Sequence, residues 1–341
     1  MDFTSDNSWG AAPEILAALA AASDGPALSY GDDPITARLA GRLNEFFGRE
    51  VAAYPVVTGT AANALALATL CPPHGAIICH AQSHIAVDEC GAPEFFTHGA
   101  RLVLLNGKDG KIDVASIEAA LPDFQRGIHA SKPSVVSITQ ASEFGTVYRP
   151  TEIAAIANAA HGNDMTLHMD GARFANALVH LDCAPADITW KAGVDALSFG
   201  ATKNGALCAE AVVFFDKAAD FEYRRKKSGH LLSKMRFLSA QLDACLENNR
   251  WRIYATRANA LAQRLAKELA SIGSVEIAYP VEANAVFASL PDDVAARLRE
   301  QGAKFYDWAP SSGGRTLVRL VCSFATPERD IGRFAGIARG P

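Results

Sequence analysis

Thr166-Leu167-His168-Met169-Asp170-Gly171-Ala172-Arg173 is the run that decides how this chain folds. It opens on β-prone and apolar residues, ends on an acid, and passes through a glycine into a helical pattern over 173–178. The pattern predicts a strand over 166–170 with Asp170 at its C-terminal end, where open α/β sheets bind their ligands. The same acid is also a ready cap for the following helix. Outward from this run the alternation repeats. Strands are predicted over 52–57, 76–79, 102–105 and 135–139 upstream, and over 196–199 and 211–215 downstream. Helices over 60–69 and 151–161 lie between them, the second opened by Pro150-Thr151 and closed near Gly162-Asn163. Strands separated by helices predict an α/β domain with a mostly parallel sheet covered on both faces.

Beyond residue 220 the pattern changes. A basic run over 221–227 and helical stretches over 238–246 and 251–269 precede short strands over 286–290 and 317–322. A helix over 292–301 lies between those strands, and a closing helix starts at Pro327. We expect two domains: residues 1–245, a large domain that includes the N-terminal arm, and residues 246–341, a smaller α+β domain.

Two further runs carry chemistry. Thr58-Gly59-Thr60 stands between a strand and a helix, where free N–H groups and the positive end of the helix dipole suit a phosphate. The same residues also make an ordinary helix start with Thr60 as cap. Ser198-Phe199-Gly200-Ala201-Thr202-Lys203-Asn204-Gly205 puts a lysine just past an apolar strand, among small residues. Partial burial there favours the neutral amine that forms a Schiff base, although a packed loop lysine has the same surroundings. Taken together, a phosphate cradle, an acid at a strand end and a lysine at the next strand end are what pyridoxal phosphate requires. Its phosphate needs helix amides, its ring nitrogen needs an acid, and its aldehyde needs an amine. No Walker lysine and no G-x-G-x-x-G run competes for the assignment.

Composition narrows the partners. The net charge is −5 without a dense nucleic-acid-type basic patch, so neither nucleic acid nor an anionic membrane is expected as a partner. The cluster Arg224-Arg225-Lys226-Lys227 reads as a solvated helix face. Seven scattered cysteines without a C-x-x-C pair predict reduced thiols, a cytoplasmic location and no metal site. The first residues lack the basic and apolar regions of a signal peptide.

The chain resembles the L-threonine aldolase family, within the fold-type I PLP enzymes. The resemblance rests on Phe3-Thr4-Ser5-Asp6-Asn7, Tyr30-Gly31-Asp32-Asp33-Pro34, Thr58-Gly59-Thr60-Ala61-Ala62-Asn63 and Ser83-His84-Ile85. Met169-Asp170-Gly171-Ala172-Arg173, Thr202-Lys203 and Val318-Arg319-Leu320-Val321 complete it. It implies an aminotransferase-like large domain with a mostly parallel, mixed seven-stranded sheet. It also implies roles. Lys203 would hold the cofactor, Asp170 would pair with its ring nitrogen, and His84 would stack on the ring. Thr58, Gly59 and Thr60 would bind phosphate. Arg173 would stand near the cofactor hydroxyl and the substrate carboxylate, which Ser5 and Arg319 would also bind. Tyr30 and Arg236 would reach the pocket from a neighbouring subunit, so a homo-oligomer, a dimer of dimers, with shared active sites is implied. Lys203, His84 and Asp170 would be the catalytic set.

The implied reaction is retro-aldol cleavage of small β-hydroxy-α-amino acids, threonine or allo-threonine to glycine and acetaldehyde, or phenylserine to glycine and benzaldehyde. Another fold-type I lyase or transferase, or a non-catalytic PLP-fold binding protein, are the competing readings. One departure stands out: where many relatives carry a histidine near the substrate hydroxyl, this chain has Thr139-Gln140-Ala141-Ser142-Glu143. His84, directly or through a water, is the base that remains.

Overall fold

Seven strands form the main sheet of the computed structural model, which describes residues 1–216 and 220–340. They are β1 (Ala52–Val56), β2 (Gly75–His80), β3 (Arg101–Leu105), β4 (Lys132–Thr139), β5 (Thr166–Gly171), β6 (Ala196–Gly200) and β7 (Glu210–Phe214). Every residue of β2, β6 and β7 is buried, which is why these strands read as unbroken apolar runs without alternation. The spatial order is β1-β7-β6-β5-β4-β2-β3. Strands β3, β2, β4, β5 and β6 run parallel, while β7 is antiparallel to both β6 and β1. This is the mostly parallel, mixed sheet that the sequence predicted.

Register decides where the chemistry gathers. Val56 lies opposite Glu210, Glu210 opposite Gly200, Asp170 opposite Ser198, and Thr139 opposite Asp170. The C-terminal ends of β1, β4, β5 and β6 and the start of β7 therefore share one edge of the sheet.

Helices cover both faces: α1 (Pro13–Ala22), α2 (Pro34–Phe47), α3 (Gly59–Leu70), α4 (His84–Val87), α5 (Ala92–Phe96), α6 (Val114–Ala120), α7 (Pro150–His161), α8 (Phe174–Leu181), α9 (Phe221–Lys227), α10 (Arg236–Leu246) and α11 (Arg250–Ala270). Helix α2 is capped by Asp33, which accepts from the N–H groups of Ile35 and Thr36 at 3.0 and 2.9 Å. It stops at Gly48, whose φ of +68° suits glycine. Its last residue, Phe47, packs against the rings of Phe174, Phe199 and Phe215 at 5.3–6.4 Å between centroids.

A second sheet, order β10-β11-β9-β8, is antiparallel. It comprises β8 (Glu276–Ile277), β9 (Ala285–Pro291), β10 (Tyr306–Ser312) and β11 (Arg315–Val321), with α12 (Asp292–Glu300) and α13 (Glu328–Arg339) packed on it. Helix α11 serves both cores: Trp251, Tyr254 and Ala255 pack in the first, and Leu261, Leu265 and Leu269 in the second. The N-terminus also crosses over. Phe3 is fully buried in the second core against Phe334, and its N–H and C=O bond to Lys304 and Val321. No helix of the described residues is long and apolar enough to cross a membrane.

Candidate active site

At the shared sheet edge lies a cavity of about 330 Å³ lined by Thr58, Gly59, Thr60, Asn63, His84, Glu143, Asp170, Lys203 and Glu210, with Asn7 from the N-terminal arm. Six residues singled out from the sequence thus converge: Thr58, Gly59, Thr60, His84, Asp170 and Lys203.

The phosphate-type wall is the start of α3. Its cap is Thr58, not the expected Thr60: the Thr58 hydroxyl accepts from Ala61 N–H at 3.1 Å. Thr58 has the extended backbone of a cap, whereas Thr60 already lies inside the helix. Thr60 is thereby left free to face the cavity. A Cβ built on Gly59 would meet nothing within 4 Å, so the glycine leaves open space against the first helical N–H groups.

Asp170 ends β5 almost fully buried. One carboxylate oxygen accepts from Ala172 N–H at 3.0 Å and the other from Asn63 Nδ2 at 2.8 Å. Asn63 Nδ2 also donates to Glu89 Oε1 at 2.8 Å, and that same oxygen lies 2.7 Å from His84 Nδ1. The Glu89 side chain is fully buried and its Oε2 has no partner among the described residues. Burial pushes its carboxyl above the ordinary value, with His84 and Asn63 working the other way. His84 is held above the ordinary histidine value chiefly by the Glu89 hydrogen bond, against its own burial. Behind Asp170, His168 is buried between Ser137 and Ser198 at 2.9 and 3.1 Å, and burial pushes it down to about 4, so it is a neutral spacer within the sheet.

Lys203 follows β6 in a single turn, Thr202–Asn204, and its side chain lines the cavity without an ion pair among the described residues. Glu210 sits beside it on β7. Burial pushes the Glu210 carboxyl up to about 7, with the Thr202 hydroxyl and Lys203 opposing. The fit around this corner is tight: a Cβ on Gly200 would come within 2.8–2.9 Å of Ala172 backbone and of Glu210 Oε2. A side chain there would displace Glu210 or the Asp170-to-Ala172 turn.

The N-terminal arm closes another side. Arg173 makes a two-pronged pair with Asp6, Nε to Oδ2 at 2.8 Å and Nη2 to Oδ1 at 3.0 Å. Burial alone would raise Asp6, but Arg173, with Lys203 and Asn284, outweighs it and holds the carboxyl below its usual range. Asn284, just before β9, donates to Asp6 at 3.0 Å, so one acid of the arm is held from both sides. Ser5 accepts from Asn7 N–H at 3.1 Å and does not itself line the cavity. Arg319, on β11, stacks 5.2 Å from the Trp308 ring and 5.7 Å from Tyr306. Its Nε is buried without a partner among the described residues, and burial together with the charge of Arg173 pushes its pKa down. A half-buried guanidinium with an idle donor suits an anion.

Arg173 and Arg319, like Ser5, are not among the residues that line the cavity, and nor are Arg236 and Tyr30. Arg236 donates to Gly25 C=O at 3.0 Å and lines a separate surface groove. Tyr30 is half-exposed with Lys226 Nζ 4.4 Å from its ring centroid. The basic cluster also differs from a solvated face. Arg225 is buried over Tyr54 at 5.3 Å, and within the cluster only Lys226 and Lys227 are exposed. Sequence reasoning gave no role to Asn63, Glu89, Glu143 or Glu210. Asn63 ends the Thr58–Asn63 run of the family resemblance, and the three glutamates carry no spacing that announces them.

Comparison with known proteins identifies the family. The chain matches the beta-eliminating lyase family over residues 2–293. It is 45% identical over 340 residues to the low specificity L-threonine aldolase of Pseudomonas sp. (strain NCIMB 10558), covering 99% of this chain and 96% of that one. The low specificity L-threonine aldolase of Saccharomyces cerevisiae is 25% identical over 306 residues, 87% of this chain and 75% of the other. Among solved structures, the threonine aldolase of Leishmania major superposes with a TM-score of 0.93 at 29% identity, covering 99% and 98% of the two chains. Serine palmitoyltransferase of Sphingomonas wittichii, TM-score 0.72 at 16% identity over 99% of this chain and 86% of the other, shares the fold. The chain belongs to the beta-eliminating lyase family.

Proposed function

We propose that this protein is a pyridoxal-phosphate-dependent aldehyde-lyase that cleaves L-β-hydroxy-α-amino acids, L-threonine and L-allo-threonine among them, to glycine and an aldehyde. The observation that carries the reading is the meeting of a helix N-terminus, an oriented carboxylate, a lysine and an imidazole around one cavity. The end-to-end identity with L-threonine aldolases supports the choice of substrate.

The residues fit the cofactor. Gly59 leaves room for a phosphate against the first amides of α3, with the Thr60 hydroxyl beside it. Lys203 supplies an amine free of ion pairs among the described residues. Asp170, with its two oxygens fixed by Ala172 and Asn63, would accept a hydrogen bond from a protonated ring nitrogen and hold the proton there. When bound, pyridoxal phosphate supplies an electron sink for the pair left on Cα as the Cα–Cβ bond breaks.

The chain's own groups do the rest. His84 takes the β-hydroxyl proton, which releases the aldehyde. Arg319 grips the substrate carboxylate through its idle donor, with Arg173 holding the arm in place through Asp6. That grip would orient the substrate's Cα bonds for cleavage. Glu143 lines the same wall where a histidine is absent. Tyr30 and Arg236, both outside their own chain's cavity, serve the cavity of a neighbouring copy in a dimer of dimers. Seven cysteines, all free, suit a cytoplasmic enzyme.

Product analysis with L-threonine tests the reading. Equimolar glycine and acetaldehyde are expected; 2-oxobutanoate and ammonia would replace the reading with β-elimination. In the same assay Arg319→Ala should raise KM at nearly constant cofactor affinity. Losing a charge-assisted contact costs about 1.5–3 kcal/mol, or roughly 10- to 150-fold in KM at 1.36 kcal/mol per tenfold. An equal loss of cofactor affinity would assign Arg319 to the cofactor.

A further inference from the structure

The hydrogen-bond chain from His84 through Glu89 and Asn63 to Asp170 fixes more than positions. An amide nitrogen only donates, and Asn63 Nδ2 touches two carboxylates, Glu89 Oε1 and Asp170 Oδ2, each at 2.8 Å. The flipped amide would put its oxygen against both carboxylates, so this orientation is set by the site itself. Its cost is visible: Asn63 Oδ1 is buried without a partner among the described residues. Glu89 Oε1 is therefore an acceptor. The nitrogen 2.7 Å from that oxygen, His84 Nδ1, must be the donor.

We propose that Glu89, held by Asn63, is a positioning residue that commits His84 Nδ1 to donating, so that the neutral imidazole carries its lone pair on Nε2 as the base of the reaction. The inference deepens the aldolase reading and rests on it for the base's task. Its geometry is that of an acid orienting a catalytic imidazole. Nε2 has no hydrogen-bond partner among the described residues, while His84 lines the cavity. Glu89 does not line the cavity, so it acts on a substrate only through the residues it holds, His84 and Asn63.

A pH dependence follows. The charged groups facing His84 are Glu89 in direct contact, then Asp170 and Glu143, all anionic and all favouring its protonated form; Lys203 stands across the same cavity. Protonated His84 cannot accept the β-hydroxyl proton. The acid limb of kcat/KM is accordingly placed above the ordinary histidine value of 6.5. Removing the Glu89 charge weakens the hydrogen bond that leads that rise and removes the charge contribution of Glu89 beside it, so the limb moves to lower pH.

Two readouts test this on the holoenzyme. In protein labelled with ¹⁵N-histidine, His84 is assigned among nine histidines by the resonances lost in His84→Asn. Wild-type His84 should be the Nδ1–H tautomer above its titration. Glu89→Gln, which keeps an oxygen acceptor and loses the charge, should keep cofactor absorbance and tautomer while its His84 titration and the acid limb both shift to lower pH. Its kcat should fall by less than the ~10²–10⁴-fold that loss of the base itself costs. An Nε2–H tautomer in the wild type, or an unshifted titration in Glu89→Gln, would overturn the proposal. The tautomer needs no variant, so a misfolded Glu89→Gln leaves the test standing. Neither resonance measurement needs turnover, so the role of Glu89 is decided even in a protein that fails to cleave threonine.

Discussion

Lys203→Ala abolishes the yellow absorbance of the cofactor-loaded protein and essentially all cleavage of threonine. Lys203 is the amine that lines the cavity at the end of β6, and the other cavity-lining side chains are acids, amides, hydroxyls, an imidazole, a thiol and small apolar groups. None of these can form the Schiff base or take it back when product leaves. The fold should survive, because Lys203 makes no ion pair among the described residues and its loss strands no partner. Its neighbours will register the change: Lys203 opposes the burial that raises Glu210 and helps to lower Asp6, so both carboxyls should titrate higher in the variant. Absorbance spectra and product assays on the folded variant check the result. Retained absorbance together with retained turnover would remove Lys203 from its role.

Asp170→Asn should keep the cofactor and lose activity by at least about 100-fold, or ~2.7 kcal/mol at 1.36 kcal/mol per tenfold. A neutral amide cannot hold a proton on a ring nitrogen. The local bonding makes the variant worse than a simple loss of charge. Asp170 receives one N–H from Ala172 and one from Asn63. An asparagine offers a single acceptor oxygen, so in either orientation its own NH₂ faces a donor. If the new NH₂ turns toward Asn63, that residue can answer only by presenting its oxygen, which would then also face Glu89 Oε1. His84 would feel the disturbance through Glu89. Cofactor content by absorbance and kcat by glycine release measure the two halves. Turnover close to wild type in a folded Asp170→Asn protein would refute the electron-sink role of Asp170.

The positions of Asp170 and Lys203 were legible because each follows or ends an apolar run that becomes a buried strand, β5 and β6, and strand ends are where such sheets bind ligands. The alternation of runs disclosed the sheet for the same reason. Helices α1 and α2 went unread, although Asp33-Pro34 and Gly48 are a cap, a first-turn proline and a glycine stop in proper order. Strand β10 is mostly exposed and broken by register shifts, so it lacks both an apolar run and an alternation to detect. The Thr58 cap was misplaced because Thr58 and Thr60 have equal propensity and only backbone geometry separates them. Arg225 misled for another reason: its guanidinium lies on Tyr54, a residue far away in sequence, and no local pattern encodes that contact. The Glu89, Asn63 and Asp170 relation is of the same kind, joining the segment after a short helix, a long helix and a strand end across the fold. Chemistry carried by one residue at a strand end is visible in sequence; chemistry shared among residues brought together by the fold is not.

Reductive trapping tests the central claim most directly. The holoenzyme is reduced with borohydride, digested, and its peptides weighed. A stable pyridoxyl-phosphate adduct is expected on the peptide that contains Lys203 and on no other lysine, with loss of activity in step with its formation. An adduct on a different lysine, or full activity after Lys203 has been modified, would contradict the account.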